Sequence, residues 1–184
     1  IKTVLLRSLP LAVYSENNRG HFGLAFDAYT HFTSPIRRYP DLLVHRAIRH
    51  LIAKSNAKGF LYSSNDMHAL GEHSSMTERR AEEASRDVVQ RMKCEYMRDK
   101  VGEIFEGTIS SVTSFGLFIE LDSVYVEGLV HVTALPGDYY HYDAIGHRLQ
   151  GERTGKNYRL ANRLNVKVMR VSVDEKKIDF ELAE

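Results

Sequence analysis

Residues 114–132 read SFGLFIELDSVYVEGLVHV, and this stretch decides the fold of the second half of the chain. Apolar and polar side chains alternate over 115–121 and again over 126–132, which is the pattern of two neighbouring strands. The same period of two returns in three further segments, at 103–112, 164–173 and 176–182. Five short strands in about 80 residues predict a small five-stranded antiparallel barrel of the Greek-key OB type.

A long insertion, residues 135–160, separates the third predicted strand from the fourth and is rich in Tyr, Gly and His. We expect it to be an ordered loop whose aromatic rings cover the barrel. The alternative is that its run Tyr-Tyr-His-Tyr at 139–142 adds surface on which nucleic-acid bases stack.

The first hundred residues follow a helical period instead. Residues 40–54 place apolar side chains on one face after a proline at the start, which predicts an amphipathic helix. A longer helix over 65–100 carries a narrow seam of small and apolar side chains, and such a seam predicts close packing against a large body. Residues 21–26 are short and apolar enough for a strand, and residues 1–9 resemble the end of a helix.

The predicted fold class is therefore α+β, with a helical part over 1–100 and the barrel over 101–184. The net charge of +1 hides a difference between them, because the first part holds 16 Lys and Arg against 11 Asp and Glu, whereas the second holds 9 against 13. A basic excess favours a polyanion as the partner of the helical part. The acidic barrel needs local chemistry, such as base stacking, to bind nucleic acid.

Composition excludes several classes of protein. A hydrophobic content of 43% and a charged content of 27% are typical of a soluble globular chain, and no apolar run is long enough to cross a bilayer. The single cysteine, Cys94, excludes an internal disulfide and fits a reducing cytoplasm; we expect it to be a semi-buried helix residue. The sequence contains no GxSxG, Walker or GxGxxG motif. The chain therefore lacks the residues that serine hydrolases, nucleoside triphosphatases and dinucleotide-binding enzymes require.

Residues 29–45 form the segment with the most side chains that could bind a ligand or take part in catalysis. Arg37 and Arg38 follow Thr-Ser-Pro and stand just before a predicted helix start, which brings guanidinium groups, hydroxyls and free helix N–H groups together. That combination suits a phosphate group. The composition supports equally well the alternative that one of these arginines pairs with carboxylates of a neighbouring domain.

In the barrel, Phe115, Phe118 and His131 predict a platform for unpaired bases. Phe115 and Phe118 share a surface if Gly116 bends the strand between them, and His131 lies on the next strand. Such stacking tolerates any base sequence and contributes about 1 to 3 kcal/mol per base. The alternative is that both phenylalanines are core residues.

The run HFTSPIRRYPDLLVHR at 31–46 resembles the closing part of the catalytic domain of the RNase II and RNase R family of hydrolytic 3′-to-5′ exoribonucleases, also called the RNB family. The segments SMTERRA at 75–81 and SRD at 85–87 support the resemblance. It implies that Arg37 contacts the phosphate undergoing hydrolysis, and that an aspartate cluster upstream of this chain binds Mg²⁺. Asp41 and Asp87 lie outside any carboxylate cluster, and we expect them to be helix-start or surface partners.

Residues 101–184 resemble the S-one RNA-binding domain, an OB-fold module found at the end of such nucleases. This resemblance assigns RNA contact to Phe115, Phe118 and His131, and adds Asp174 and Lys177 on the loop before the last strand. The family usually has Arg where Lys177 stands, and the loop here lacks a glycine.

The resemblance predicts part of a processive exoribonuclease that releases nucleoside 5′-monophosphates, with Arg37 as catalytic residue and Arg38 as an RNA contact beside the barrel residues. We expect no metal site within the chain and, from the start at Ile1, a fragment that binds RNA without cutting it. Expected partners are single-stranded RNA and the upstream catalytic and cold-shock-type OB domains of a monomeric cytoplasmic enzyme, with no membrane. The alternative is a non-catalytic RNA-binding protein, with an OB module and a helical docking segment.

Overall fold

The computed structural model describes residues 8–183, which divide into two compact units after Ala84. We call residues 8–84 the helical unit and residues 85–183 the barrel unit. The described residues form two α-helices, α1 (Tyr39–Lys54) and α2 (Ser64–Met97), and short 3₁₀ turns at Phe22–Leu24, Arg98–Lys100 and Val132–Ala134. The strands are β1 (Ile104–Thr113), β2 (Gly116–Leu121), β3 (Glu127–His131), β4 (Tyr140–Asp143), β5 (Arg148–Gly151), β6 (Asn157–Arg159), β7 (Arg163–Ser172) and β8 (Lys177–Leu182).

Helix α1 confirms the helix predicted over 40–54. Pro40 occupies its first turn, where a missing N–H costs nothing, and Ser55 ends it in a left-handed conformation with its N–H bonded to the Leu51 carbonyl oxygen at 2.8 Å. Its apolar face is largely uncovered within the described residues: Leu43 is buried, but Ile52 is 78% exposed. The predicted amphipathic face is therefore present, and the described residues cover only part of it.

Tyr14 ties the segment before α1 to the first half of α2. Its backbone N–H donates to Ser75 Oγ at 2.9 Å, and its hydroxyl donates to Glu78 Oε1 and lies 2.8 Å from Nδ1 of His31. A Cβ at Gly71 would approach the Tyr14 carbonyl oxygen to 2.9 Å, so a glycine is required for this contact. Burial and the neighbouring Glu78 carboxylate raise the pKa of Tyr14 to about 12.

The strand predicted over 21–26 is wrong. This segment forms a 3₁₀ turn over Phe22–Leu24, in which the His21 ring accepts the Leu24 N–H and Ala25 adopts a left-handed conformation with φ of 54°. The chain therefore reverses, and His21 pairs with Phe26 in an isolated bridge. A side chain that captures a backbone N–H competes with strand formation, and an apolar count does not detect this. Of the helix end predicted over 1–9, residues 1–7 lie outside the described residues.

The five predicted barrel strands are confirmed as β1, β2, β3, β7 and β8, which close in the order β1-β2-β3-β8-β7. The prediction of an entirely antiparallel barrel is wrong at one pair, since β3 and β8 run parallel where Leu129 meets Asp179. The reason is parity: strand directions cannot alternate all the way around a closed ring with an odd number of strands. The fold class, helices followed by an OB-type barrel, stands.

The hydrophobic core lies inside the barrel. Alternating residues of its strands point inward, and the last turns of α2 close it with Cys94 and Met97, both fully buried. Cys94 is thus more deeply buried than predicted, and burial raises the pKa of its thiol. The largest fully buried side chains of this core are those of Met97, Ile109, Leu117, Ile119, Leu121, Val126, Val130, Leu149, Tyr158, Val166 and Val168.

The insertion over 135–160 is more than a loop. It contains a three-stranded antiparallel sheet, β4-β5-β6, whose inner face packs on the barrel through Tyr140, Leu149 and Tyr158, all buried. The expectation that its rings cover the barrel holds for Tyr140 and Tyr158, whereas Tyr139 is 69% exposed. In residues 8–183, no helix combines the length and the apolar character that crossing a membrane requires.

Candidate nucleic-acid interface

Phe115 and Phe118 form an exposed aromatic pair on the outside of the barrel. Their ring centroids are 5.9 Å apart and their planes meet at 89°, an edge-to-face arrangement. Phe115 lies in the turn before β2 and is 47% exposed, while Phe118 lies within β2, opposite Leu129 of β3, and is partly buried. The geometry predicted for the two rings is present, and it leaves aromatic surface open to solvent.

Gly116 is the residue that allows β2 and β3 to approach each other beside this pair. A Cβ at Gly116 would lie 2.3 Å from the Val130 carbonyl oxygen and 3.1 Å from Cα of His131. Any side chain here would push β3 away. Gly116 therefore brings the end of β3, with His131, close to the aromatic pair.

His131 stands directly opposite Gly116 in the register of β2 and β3. Its side chain is exposed, and its Nδ1 accepts the Thr133 N–H at 3.3 Å and lies 2.8 Å from Thr133 Oγ1. Because a backbone N–H can only donate, Nδ1 is the acceptor and the neutral ring carries its proton on Nε2. The ring is thereby fixed in orientation, with a donor available for a base or a phosphate.

Asp174 and Lys177 lie elsewhere on the barrel. The parallel register of Leu129 with Asp179 sets Lys177 level with Glu127, at the start of β3, whereas His131 is at its end. Asp174 is exposed in the turn before β8, and Lys177 Nζ is 3.3 Å from Glu175 Oε2. The structure thus brings three of the five predicted barrel residues together and places these two at the other end of β3.

In the helical unit, Asp41 organises the loop that precedes α1. Asp41 is fully buried in the first turn of the helix, and its Oδ2 accepts the Ser34 N–H at 2.7 Å and the Arg38 Nη2 at 2.8 Å. Burial raises its pKa, but the hydrogen bonds from Ser34 and Arg38 outweigh burial and leave the pKa of Asp41 below its ordinary value. The expectation of a helix-start residue is confirmed, and Asp41 is no surface residue.

Arg37 and Arg38 face different surroundings. The backbone N–H groups of both bond to the Ser34 carbonyl oxygen, at 3.2 and 3.0 Å, which curls the loop tightly before the helix. The Arg38 side chain is held by Asp41 and is 21% exposed, whereas Arg37 is exposed. The loop therefore presents the Arg37 guanidinium outward from a backbone that the Arg38–Asp41 pair fixes in place.

Sequence reasoning missed the role of Asp41 as the partner of Arg38. The spacing Arg-x-x-Asp at a helix start places the two side chains one turn apart, and this was the available signal. Asp87 does behave as the predicted surface residue, forming an ion pair with Lys176.

No cluster of three His, Cys, Asp or Glu side chains that would hold a metal ion occurs within residues 8–183. The one deeply buried carboxylate near the arginines, Asp41, is already bound by Arg38 and the Ser34 amide. The described residues therefore do not fit a Mg²⁺ site, and the chemistry they offer is that of guanidinium groups, rings and an imidazole.

Two models of known families match separate parts of the chain. The RNB domain model matches residues 1–54, and the S1 RNA binding domain model matches residues 98–183. Among relatives, ribonuclease R of Escherichia coli (strain K12) is 53% identical over 190 residues, which cover 99% of this chain and 23% of that protein. The chain thus spans about a quarter of the length of the curated relatives it matches.

Solved structures of Mycoplasma genitalium RNase R have the same fold. The apo form has a TM-score of 0.89 and 29% identity, covering 98% of this chain and 28% of that one. The complex with ribose methylated single-stranded RNA has a TM-score of 0.85 at the same identity and coverage. Fold and matches together define an RNB-domain protein that carries an S1 RNA binding domain. More narrowly, the chain belongs to the ribonuclease R family.

Proposed function

We propose that this chain binds single-stranded RNA on the outer face of β2 and β3, as part of an enzyme that shortens RNA from its 3′ end. The observation that carries the proposal is the pair of an exposed Phe115 and a partly exposed Phe118 beside His131, whose ring is fixed by Thr133. Rings stack on any base, and the Nε2 donor of His131 adds one hydrogen bond. The RNA-bound structure of the Mycoplasma genitalium relative supports this choice of ligand.

Stacking also suits the charge of the residues that form the barrel and its insertion. Residues 101–184 hold 9 Lys and Arg against 13 Asp and Glu, so bulk attraction for phosphates is weak there. Asp174 and Lys177, at the other end of β3, we propose as contacts for a strand that runs along β3 beyond the aromatic pair. A four-residue stretch of strand spans about 13 Å.

Arg37 we propose as the catalytic residue of the whole enzyme. The planar guanidinium neutralises negative charge that develops on the phosphoryl oxygens when a water attacks the terminal phosphodiester. The attack releases a nucleoside 5′-monophosphate and leaves a new 3′ hydroxyl. The exposed position of Arg37 on a loop held by Ser34 and Asp41 supports this role, and the exposed edge of Arg38 we propose as an additional RNA contact.

The remaining parts of the activity lie outside the described residues. We propose that carboxylates of other domains hold the Mg²⁺, and that this chain works with a catalytic domain and cold-shock-type OB domains in a processive, monomeric, cytoplasmic enzyme. The 184-residue chain by itself then binds RNA and does not cut it.

RNA binding is tested by titrating a fluorescein-labelled oligouridylate with the 184-residue chain and reading fluorescence anisotropy. We expect Phe115→Ala and Phe118→Ala each to weaken binding on the order of 5- to 150-fold, because each removes a ring on which a base stacks. Tyr96→Ala is the matched control, since Tyr96 is 54% exposed on α2 in the same unit. Equal effects of all three substitutions would contradict the assigned interface.

Catalysis is tested with the full-length enzyme that contains this chain, using a 5′-labelled oligoribonucleotide with Mg²⁺. Arg37→Lys keeps the charge but loses the planar fork, so we expect kcat to fall about 10²- to 10³-fold while KM changes little. Arg49→Lys, on the exposed side of α1, is the control.

Two outcomes of that experiment contradict the catalytic proposal. A loss of affinity with turnover spared would make Arg37 a binding residue only. An absence of hydrolysis in the full-length protein would favour the non-catalytic alternative, an RNA-binding protein with a helical docking segment. Trimming of RNA by the 184-residue chain alone would show that it carries a complete active site.

A further inference from the structure

The outer face of the inserted sheet β4-β5-β6 carries polar and charged side chains in two rows across its strands. Its inner face packs on the barrel, so by the alternation of strands the outer face carries the residues in between. One row places His141, Gln150 and Asn157 side by side, and the other places Asp143, Arg148 and Arg159 side by side. We call these six residues the insertion face.

Two arginines stand directly opposite each other on this face. Arg148 of β5 pairs in register with Arg159 of β6, and like charges in directly opposed positions destabilise a sheet. Asp143 compensates only one of them: its Oδ2 accepts Arg148 Nε at 2.9 Å. The Arg159 side chain is exposed and has no partner within residues 8–183. The arrangement thus leaves an uncompensated guanidinium next to a second one.

The insertion face is held in a fixed shape by carboxylates in its turns. Asp143 Oδ1 accepts the N–H groups of Ile145 and Gly146, which closes the β4–β5 turn, while its other oxygen orients Arg148. Asp138 accepts the N–H groups of Arg153 and Thr154 at the opposite end of the sheet. The two arginines therefore project from a rigid base, and little order is lost when they bind a ligand.

Charge and exposed rings identify the chemistry of that ligand. Residues 135–160 hold 4 Lys and Arg against 3 Asp and Glu, while the rest of 101–184 holds 5 against 10, so the insertion is the basic part of an acidic domain. At the end of the sheet away from these arginines, Tyr139 is 69% exposed, and its ring meets that of His141 edge to face with centroids 5.1 Å apart. Two neighbouring guanidinium groups suit the phosphates of a phosphodiester backbone, and an exposed ring at the other end of the same sheet suits an unpaired base of that strand.

We propose that the insertion face is a second contact surface for single-stranded RNA, in which Arg148 and Arg159 bind backbone phosphates. This inference rests on the proposed RNA binding of the barrel unit and extends it from the aromatic pair on β2 to the inserted sheet. In this proposal the bases are held by Phe115 and Phe118, and the insertion face adds phosphate contacts to a domain, residues 101–184, whose other parts carry an excess of acidic residues.

The test is the salt dependence of RNA binding by the 184-residue chain, measured by anisotropy with oligouridylates of increasing length. Each phosphate contact on a single strand contributes about −0.7 to the slope of log K against log salt. For one such contact, a tenfold rise in salt concentration lowers the affinity about fivefold. We expect Arg159→Gln to reduce the steepness of that slope by about 0.7, and Arg148→Gln with Arg159→Gln by about 1.4. Arg159→Lys keeps the charge and retains the slope.

Arg98→Gln is the control, because Arg98 is also exposed, is paired with the neighbouring carboxylate of Asp99, and does not belong to the insertion face. We expect it to leave the slope unchanged, and we expect the effect of Arg159→Gln to appear only with the longer oligonucleotides. Thermal unfolding of each variant shows that the fold is intact.

The possible results separate the two proposals. If Phe115→Ala weakens binding but Arg159→Gln behaves like Arg98→Gln at every length, the insertion face is not an RNA contact, although the proposed function stands. If the unsubstituted chain binds no RNA, or if Phe115→Ala has no effect, the proposed function itself is wrong. Binding of an acidic peptide in place of RNA at the insertion face would also overturn the inference.

Discussion

The barrel unit and the helical unit are built in opposite ways. In the barrel unit, large apolar side chains such as Leu117 and Ile119 are fully buried in one closed core. In the helical unit, Leu43 is the one buried hydrophobic side chain within residues 8–84, and Ile36 and Ile52 are open to solvent. Its most buried side chain is instead a charge, Asp41.

The difference indicates what each unit depends on. A closed apolar core stabilises the barrel unit from within, so the surface proposed to bind RNA is held by the fold itself. The loop of the helical unit is held by a buried ion pair, which is costly to break because a lone buried charge is left behind. Within residues 8–84 the apolar face of α1 is largely exposed, and the packing against a large body that the seam over 65–100 predicts stays a prediction.

The largest effect is expected from paired truncations in the two units. Ile119→Ala removes a fully buried side chain of β2 and is expected to lower the free energy of unfolding by about 2 to 5 kcal/mol. Ile52→Ala removes a side chain that is 78% exposed and is expected to change it by less than about 0.5 kcal/mol. Urea unfolding followed by far-ultraviolet circular dichroism measures both. Similar losses for the two variants would break the comparison.

A smaller, local loss of stability is expected when the ion pair between Arg38 and Asp41 is removed. Asp41→Ala leaves the Ser34 N–H and the Arg38 guanidinium without their acceptor, at a cost of about 1 to 3 kcal/mol. We expect amide hydrogen exchange at Ser34 and Arg38 to accelerate about 5- to 150-fold, with the barrel strands unaffected. Asp27→Ala, at an exposed position of the same unit, is the control. Unchanged exchange at Ser34 would show that Asp41 does not hold the loop.

The smallest effect on stability is expected when the pH is lowered and Asp138 becomes protonated. Hydrogen bonds from the Thr154 side chain and backbone and from the Arg153 N–H hold the pKa of Asp138 well below its ordinary value of 3.8. A carboxyl whose pKa is lower in the folded state stabilises the fold above its unfolded pKa, and that stability is lost as the pH falls below it. We therefore expect the thermal midpoint of the barrel unit to decline below about pH 4, and Asp138→Asn to flatten this decline. Parallel curves for the two proteins would contradict the role of Asp138.

The sequence alone predicted the helices and strands that are long enough for their hydrophobic period to be recognised. The alternation over 115–121 and 126–132 located β2 and β3 to within a residue, and the helical spacing over 40–54 located α1 equally well. Phe115 and Phe118 were also predicted as neighbours, because a bend at the intervening glycine lets both rings lie on the same surface. Their part in RNA binding stays a prediction.

Other features depend on contacts that no local pattern contains. The sheet β4-β5-β6 is made of strands of three or four residues, too short to show a period, and its inner and outer faces are set by the barrel on which it packs. The burial of Asp41 depends on the loop that folds over it. The opposition of Arg148 and Arg159 is a matter of register, which the turn between the strands fixes.

The parallel pair that closes the barrel also sets an order of events in folding. Leu129 cannot meet Asp179 until the whole stretch between them, including the insertion, has been drawn together. The entropic cost of closing such a loop grows with the length of chain that is still flexible. The meander β4-β5-β6 pairs only strands adjacent in sequence, so it forms early and shortens that flexible length. We therefore expect the insertion to slow the closure of the barrel less than an unstructured segment of the same length would.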